Sequence, residues 1–144
     1  DEVAHDLIAN GDHIDALELT DRGVITHVYP LQGNESVVGY NILSDSLRGP
    51  EAVKALQRRD LYFAGPFELR QGGIAVVGRL PIFRENQFIG FSMVLIKLPT
   101  LLRMGGIDTN HPEFQYQLSK VNAITGNEDF FIDTDFDVSQ SHYE

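Results

Sequence analysis

Two apolar stretches, Ile74 to Phe83 and Phe88 to Lys97, constrain the fold more than any other feature of this sequence. Both are rich in β-branched and aromatic residues, and Arg84-Glu85-Asn86-Gln87 between them suits the turn of a hairpin. Antiparallel strands with one wet face alternate apolar and polar residues, whereas these two are nearly continuous in apolar residues. They are therefore expected in a sheet covered on both faces, by the N-terminal helical segment on one side and by residues 30–59 on the other.

The rest of the chain supplies the partners. Val3, Ala4, Leu7 and Ile8 share one helical face, closed by Asn10-Gly11. Leu17 and Leu19 alternate with Ala16, Glu18 and Thr20, as in a half-buried strand, and Asp21-Arg22-Gly23 turns the chain into the β-branched run Val24 to Tyr29. Pro30 to Gly49 is irregular. Pro50, harmless in a first helical turn, opens a helix that runs to about Arg59. These patterns predict an α+β domain: a PAS-like five-stranded antiparallel sheet over residues 14–20, 24–29, 61–64, 74–83 and 88–97, with a helical flap. A short helix is expected over Leu98 to Met104, and two further strands over Phe114 to Val121 and Phe130 to Ile132.

Composition narrows the function. A chain of 144 residues with 42% hydrophobic content is one domain with a real core, here taken as the single unit 1–144. Its net charge of −10 and scattered eleven Lys and Arg exclude a nucleic-acid surface. Cysteine is absent, so disulfides and thiolate chemistry are excluded. No stretch approaches the roughly 18 apolar residues of a membrane span. The chain opens in what reads as mid-helix, the expectation being a piece of a larger protein. No nucleophile elbow, phosphate loop or carboxylate pair is present, so no enzyme activity and no cofactor are expected. The five histidines lack metal spacing. Asp133, Asp135, Asp137, Ser139, Ser141 and Glu144 follow a calcium-loop spacing, but Val138 stands where the turn needs glycine, so no metal site is expected.

Five segments in order, VYPLQGNESVVGYNILSD (28–45), PEAVKALQRRD (50–60), LYFAGPFELRQGG (61–73), IAVVGRLPIF (74–83) and FIGFSMVLI (88–96), resemble a CHASE domain. CHASE domains are extracytoplasmic sensory domains of histidine kinases and of nucleotide and diguanylate cyclases, plant cytokinin receptors among them. The resemblance implies a periplasmic domain of an inner-membrane protein, homodimeric in the full receptor, that binds a small molecule in a PAS-like pocket. It also implies ligand contacts from the linker, at Asn41 and Asp45.

Arg79 is the most informative single residue, because a guanidinium inside an apolar strand is costly unless paired. It is either a clamp for a carboxylate or phosphate, or one half of an internal ion pair, for instance with Glu68, or an outward-facing edge residue. Tyr62, Ala64, Phe67, Phe91 and Ser92 are the expected pocket lining. Gly65-Pro66 and Gly72-Gly73 allow close backbone approach to a ligand but equally serve turns and bulges. The expected function is a small-molecule sensor that signals across the membrane to a kinase or cyclase. The alternative is a protein–protein interaction module whose pocket is filled by its own bulky side chains.

Overall fold

A computed structural model describes residues 2–11, 13–108, 110, 113, 116–122 and 124–133. Helix α1 (Glu2–Ala9) leads into strands β1 (Ala16–Asp21) and β2 (Val24–Tyr29). A linker with two short 3-10 turns, Glu35–Val37 and Ile42–Ser44, then leads to α2 (Gly49–Arg58). Strands β3 (Tyr62–Glu68), β4 (Ile74–Arg84) and β5 (Gln87–Lys97) follow, then α3 (Leu98–Met104) and a separate hairpin of β6 (Gln117–Val121) and β7 (Glu128–Asp133). The main sheet is antiparallel throughout, in the order β2-β1-β5-β4-β3. The expected PAS-like α+β architecture with a flap and extra C-terminal strands is thus what the chain adopts. Of the calcium-like spacing of 133–144, everything after Asp133 lies outside the described residues.

The β4–β5 hairpin closes on Glu85 and Asn86, both at positive φ (50° and 63°), between the paired residues Arg84 and Gln87. That two-residue turn matches the right-handed twist of its strands. Register then fixes which side chains share a face, since directly opposed residues point the same way. Ala75, Val77, Arg79 and Pro81 of β4 oppose Lys97, Leu95, Met93 and Phe91 of β5 on the inner face. The core lies between this face and the flap, where Val37 and Ile42 of the linker and Ala52 and Ala55 of α2 meet Ile25, Val77, Phe91, Met93 and Leu95.

The outer face departs from expectation. α1 buries none of its residues and meets the edge strand β2, where His5 Nδ1 lies 2.7 Å from the Tyr29 hydroxyl. It does not cover the sheet, so Leu80 (44%) and Phe63 (52%) stay exposed. β1 is inverted as well: Ala16 and Glu18 are its buried positions, and Leu19 is exposed. β3 runs on to Glu68 because a register shift between Ala64 and Phe67 absorbs Gly65-Pro66 as a bulge. Turn and bulge duty therefore accounts for that pair, and positive φ at Gly72 and Gly73 shapes the loop from β3 to β4.

Gly90 marks the tightest crossing. A Cβ there would stand 2.0 Å from the Thr20 carbonyl oxygen, while the Thr20 hydroxyl accepts the Phe91 amide at 2.7 Å. Gly90→Ala must push β1 and β5 apart and should cost about 1–3 kcal/mol, the usual range for overpacking. Urea unfolding checks this; an unchanged midpoint would refute the register.

Candidate functional site

One register row crosses the inner face. Glu18 of β1 opposes Met93 of β5, Met93 opposes Arg79 of β4, and Arg79 opposes Tyr62 of β3. The row therefore sets an acid and a guanidinium on either side of one apolar residue. Arg79 is 1% exposed and Glu18 5%. Strands lie about 4.8 Å apart, so the two backbones are separated by about 10 Å and the heads meet only across the space above Met93.

The flap roofs that space. Backbone bonds hold the linker against β2: the Ile25 amide donates to the Tyr40 carbonyl (2.9 Å), and the Gly39 amide to the Ile25 carbonyl (2.7 Å). Tyr40 is thereby brought over the sheet, and its hydroxyl donates to Asp45 Oδ2. Asp45 also accepts from the Leu47 and Arg48 amides at 2.8 Å each and from Arg48 Nη1 at 3.1 Å. Arg48 in turn donates to the Glu68 carbonyl and lies 5.5 Å from the Phe67 ring centre. From the β3–β4 loop, the Arg70 guanidinium stacks 4.5 Å from the centre of the Tyr40 ring.

Beneath this roof is a cavity of about 40 Å³ that includes Glu18, Tyr40, Arg48, Arg70, Gln71 and Arg79, with a floor of Ile25, Val77, Met93 and Leu95. Among the described residues, Arg79 Nε and Nη1 and Gln71 Nε2 are buried without a hydrogen-bond partner. A wider cleft of about 550 Å³ shares Arg48, Leu69 and Arg70 with it, and runs between Phe67, Glu51 and the β6–β7 hairpin. Glu51 is buried there, accepting the Gly65 amide at 2.8 Å and pairing with Lys120 of β6.

The sequence-predicted residues divide accordingly. Arg79 lines the inner cavity and Phe67 the wider cleft. Arg79 makes no ion pair with Glu68, which is exposed, and it does not face outward. Tyr62 shares Arg79's row half-buried, with Arg58 over its ring, and Ala64 is buried beside the bulge. Phe91 is wholly buried against Phe88 (ring centres 4.8 Å apart) and lines neither space. Ser92 opposes Leu19 and Leu80 on the outer face, away from both. Asn41 caps the second 3-10 turn by accepting the Leu43 amide at 3.0 Å, and Asp45 holds the turn into α2. Glu18, Arg48, Arg70 and Gln71 escaped the sequence reading. Glu18 had signalled only as the charged member of an alternating strand.

A model of the CHASE domain matches residues 11–131 of the sequence. The chain belongs to the CHASE family. As a CHASE domain it is an extracytoplasmic sensory domain. Its fold is similar to that of an extracellular ligand binding receptor from Desulfohalobium retbaense DSM5692, with a TM-score of 0.58 and 19% identity. That match covers 75% of this chain and 19% of the receptor's chain. At such identity the likeness is one of fold. No curated protein matches the sequence. No helix among the described residues is long and apolar enough to cross a membrane.

The electrostatics of this CHASE domain centre on the same row. Burial lowers the Arg79 guanidinium to about 10, against the pull of Glu51 and Glu18, which leaves it charged at neutral pH. Burial raises Glu18 to about 7, only partly offset by Arg79. Burial also works against the Asp45 carboxylate, yet the Arg48 and Leu47 amides and the Arg48 guanidinium together hold it below its ordinary value. Such a cavity can hold an anion: it offers a fixed cation, an unmet amide donor and an acid that can give up its charge.

Glu18 makes stability depend on pH. Folded protein keeps a proton that the unfolded chain releases above its ordinary value of 4.5, so stability falls as pH rises from there through about 7. At about 1.4 kcal/mol per pH unit the loss is about 3 kcal/mol. Glu18→Gln removes this penalty. Denaturant unfolding should find the variant more stable than wild type by a few kcal/mol at pH 8.5, with most of the gain gone at pH 4.5. An equal difference at both pH values would contradict it.

Proposed function

We infer that this chain is the ligand-binding sensory unit of a periplasmic membrane receptor, and that its ligand is a small anion held by Arg79 beneath the flap. The observation that carries this reading is the pair of partnerless nitrogens on a guanidinium buried in an apolar strand. A buried ion is several kcal/mol dearer than a solvated one, and an arriving carboxylate or phosphate supplies the missing charge and acceptors. Residues 1–144 act as one sensor, which binds and does not catalyse. Ligand preference for one of two states of the flap is what would drive a signal, passed in a homodimeric receptor to a kinase or cyclase output.

Of the residues expected to touch ligand, Arg79 is the anchor, with Tyr62, Ala64 and Phe67 beside it on β3. Asn41 and Asp45 act through the linker, as caps that hold Tyr40 and Arg48 in place. The rival reading, an interaction module with a self-filled pocket, gains from the wholly buried Phe91. It leaves the convergence of Arg79, Arg70 and Gln71 on one cavity without a purpose.

Arg79→Met keeps the apolar stem and removes the charge, which separates packing from recognition. Thermal unfolding of wild type and variant against organic acids, amino acids and purines tests the reading. Acids should raise the wild-type midpoint by several degrees, since ligand at a hundredfold over its Kd stabilises by about 2.7 kcal/mol. The variant should stay unmoved. Equal responses would make Arg79 structural and remove the anion from the account.

A further inference from the structure

An acid, Glu18, lines the cavity whose guanidinium is suited to an anion. Glu18 forms no hydrogen bond or ion pair among the described residues, although it is buried and shares the cavity with Arg79. Charged, it would already neutralise Arg79 across Met93, and a second negative charge would be repelled. Neutral, it becomes a donor facing the same space.

Burial and an arriving anion favour the neutral form of Glu18, against the cations that face it. From β4 comes Arg79, from the start of α2 Arg48, from the β3–β4 loop Arg70 and Gln71, and from the linker Tyr40. β2 and β5 contribute only apolar side chains, Ile25, Met93 and Leu95. Arg48 is committed to Asp45, so Arg79 and Arg70 carry the local positive charge. Glu51 and Asp45 influence Arg79 from a distance but are held by Lys120 and the Gly65 amide, and by Arg48 and Tyr40.

Size and polarity limit the guest. By the same measure of volume one water needs about 10–15 Å³, so a cavity of about 40 Å³ has room for roughly three or four waters, or for a compact guest of about five bonded non-hydrogen atoms, which pack closer than separate waters. Its roof supplies donors and its floor, Ile25, Val77 and Leu95, is aliphatic. An inorganic oxyanion would leave that floor unused.

Resting on the anion reading above, we propose that the ligand is a short-chain monocarboxylate bound together with one proton, shared between its carboxylate and Glu18 beside the Arg79 guanidinium. Two carboxyl groups at one site cannot both stay ionised, and sharing a proton relieves them. Binding is then written as ligand carboxylate plus one proton from solvent wherever Glu18 starts ionised. Glu18 begins to lose its proton near pH 7, so above that pH affinity falls about tenfold per unit.

Calorimetric titration of the whole chain with acetate, propionate and nitrate, at pH 5.5 and pH 8.5 in two buffers of different ionisation enthalpy, tests this. Propionate should bind more than tenfold tighter than nitrate, taking up about one proton at pH 8.5 and almost none at pH 5.5. Glu18→Gln should bind propionate equally at both pH values with no proton uptake. If propionate binds wild type with no proton uptake at pH 8.5, or nitrate binds as tightly, the inference falls while the anion reading stands. If none of the three binds at either pH, the inference falls, and the Arg79→Met comparison with larger acids decides the anion reading separately. Should Glu18→Gln fail to fold, the wild-type proton count decides alone.

Discussion

A guanidinium sealed under a flap is the constraint on which the rest of this molecule depends. Arg79 cannot shed its proton at neutral pH, and its strand neighbours offer it no acceptor. Every acid that acts on it does so from beyond contact, Glu51 from α2, Glu18 from two strands away, and Asp45 from the linker. Burying an incompletely paired charge runs against stability, so the surrounding packing must over-determine the position. It does: Arg79 lies between Met93 and Tyr62 in register, and Phe67 covers it with its ring centre 5.7 Å away.

The fold holds that charge between a floor and a roof built in different ways. The floor is the longest hairpin, whose turn and register are fixed by Glu85, Asn86 and the Gly90 crossing. The roof is different in kind. It consists of capped 3-10 turns, an aspartate that gathers two amides, an arginine and a tyrosine, and a loop whose Arg70 rests on Tyr40. Such contacts are individually worth about 1–3 kcal/mol, and they add to the apolar burial of Val37, Ile42, Ala52 and Ala55 that seats the flap on the sheet. Glu51 ties the wider cleft to the C-terminal hairpin through Lys120.

Much of this was legible in the sequence. The two long apolar runs announced the central hairpin, Pro50 the helix, and Arg79 stood out because nothing else between Ile74 and Phe83 is charged. What stayed hidden depends on register. Glu18 sits between two leucines, and periodicity alone puts the leucines inside. The three-dimensional pairing sets Glu18 opposite Met93 on the inner face and turns Leu19 to the exposed face opposite Ser92. Ser92 was misplaced by the same one-residue phase, the step that flips every side chain of a strand. Asn41 and Asp45 have the chemistry of caps, and it is that local role they fill. Arg70 and Gln71 sit in a loop, where sequence gives no direction for a side chain.

The central claim is that Arg79 is a charged group whose acceptors come from outside the chain. Nitrogen-15 NMR of its Nε–H reports this directly. In the protein alone the resonance should show no coupling across a hydrogen bond to a protein carboxylate. Titration with propionate at pH 5.5 should then shift it saturably, and slow its exchange with solvent. A coupling to a protein acid before any addition, or a resonance that ignores propionate while backbone amides of the flap respond, would contradict the account.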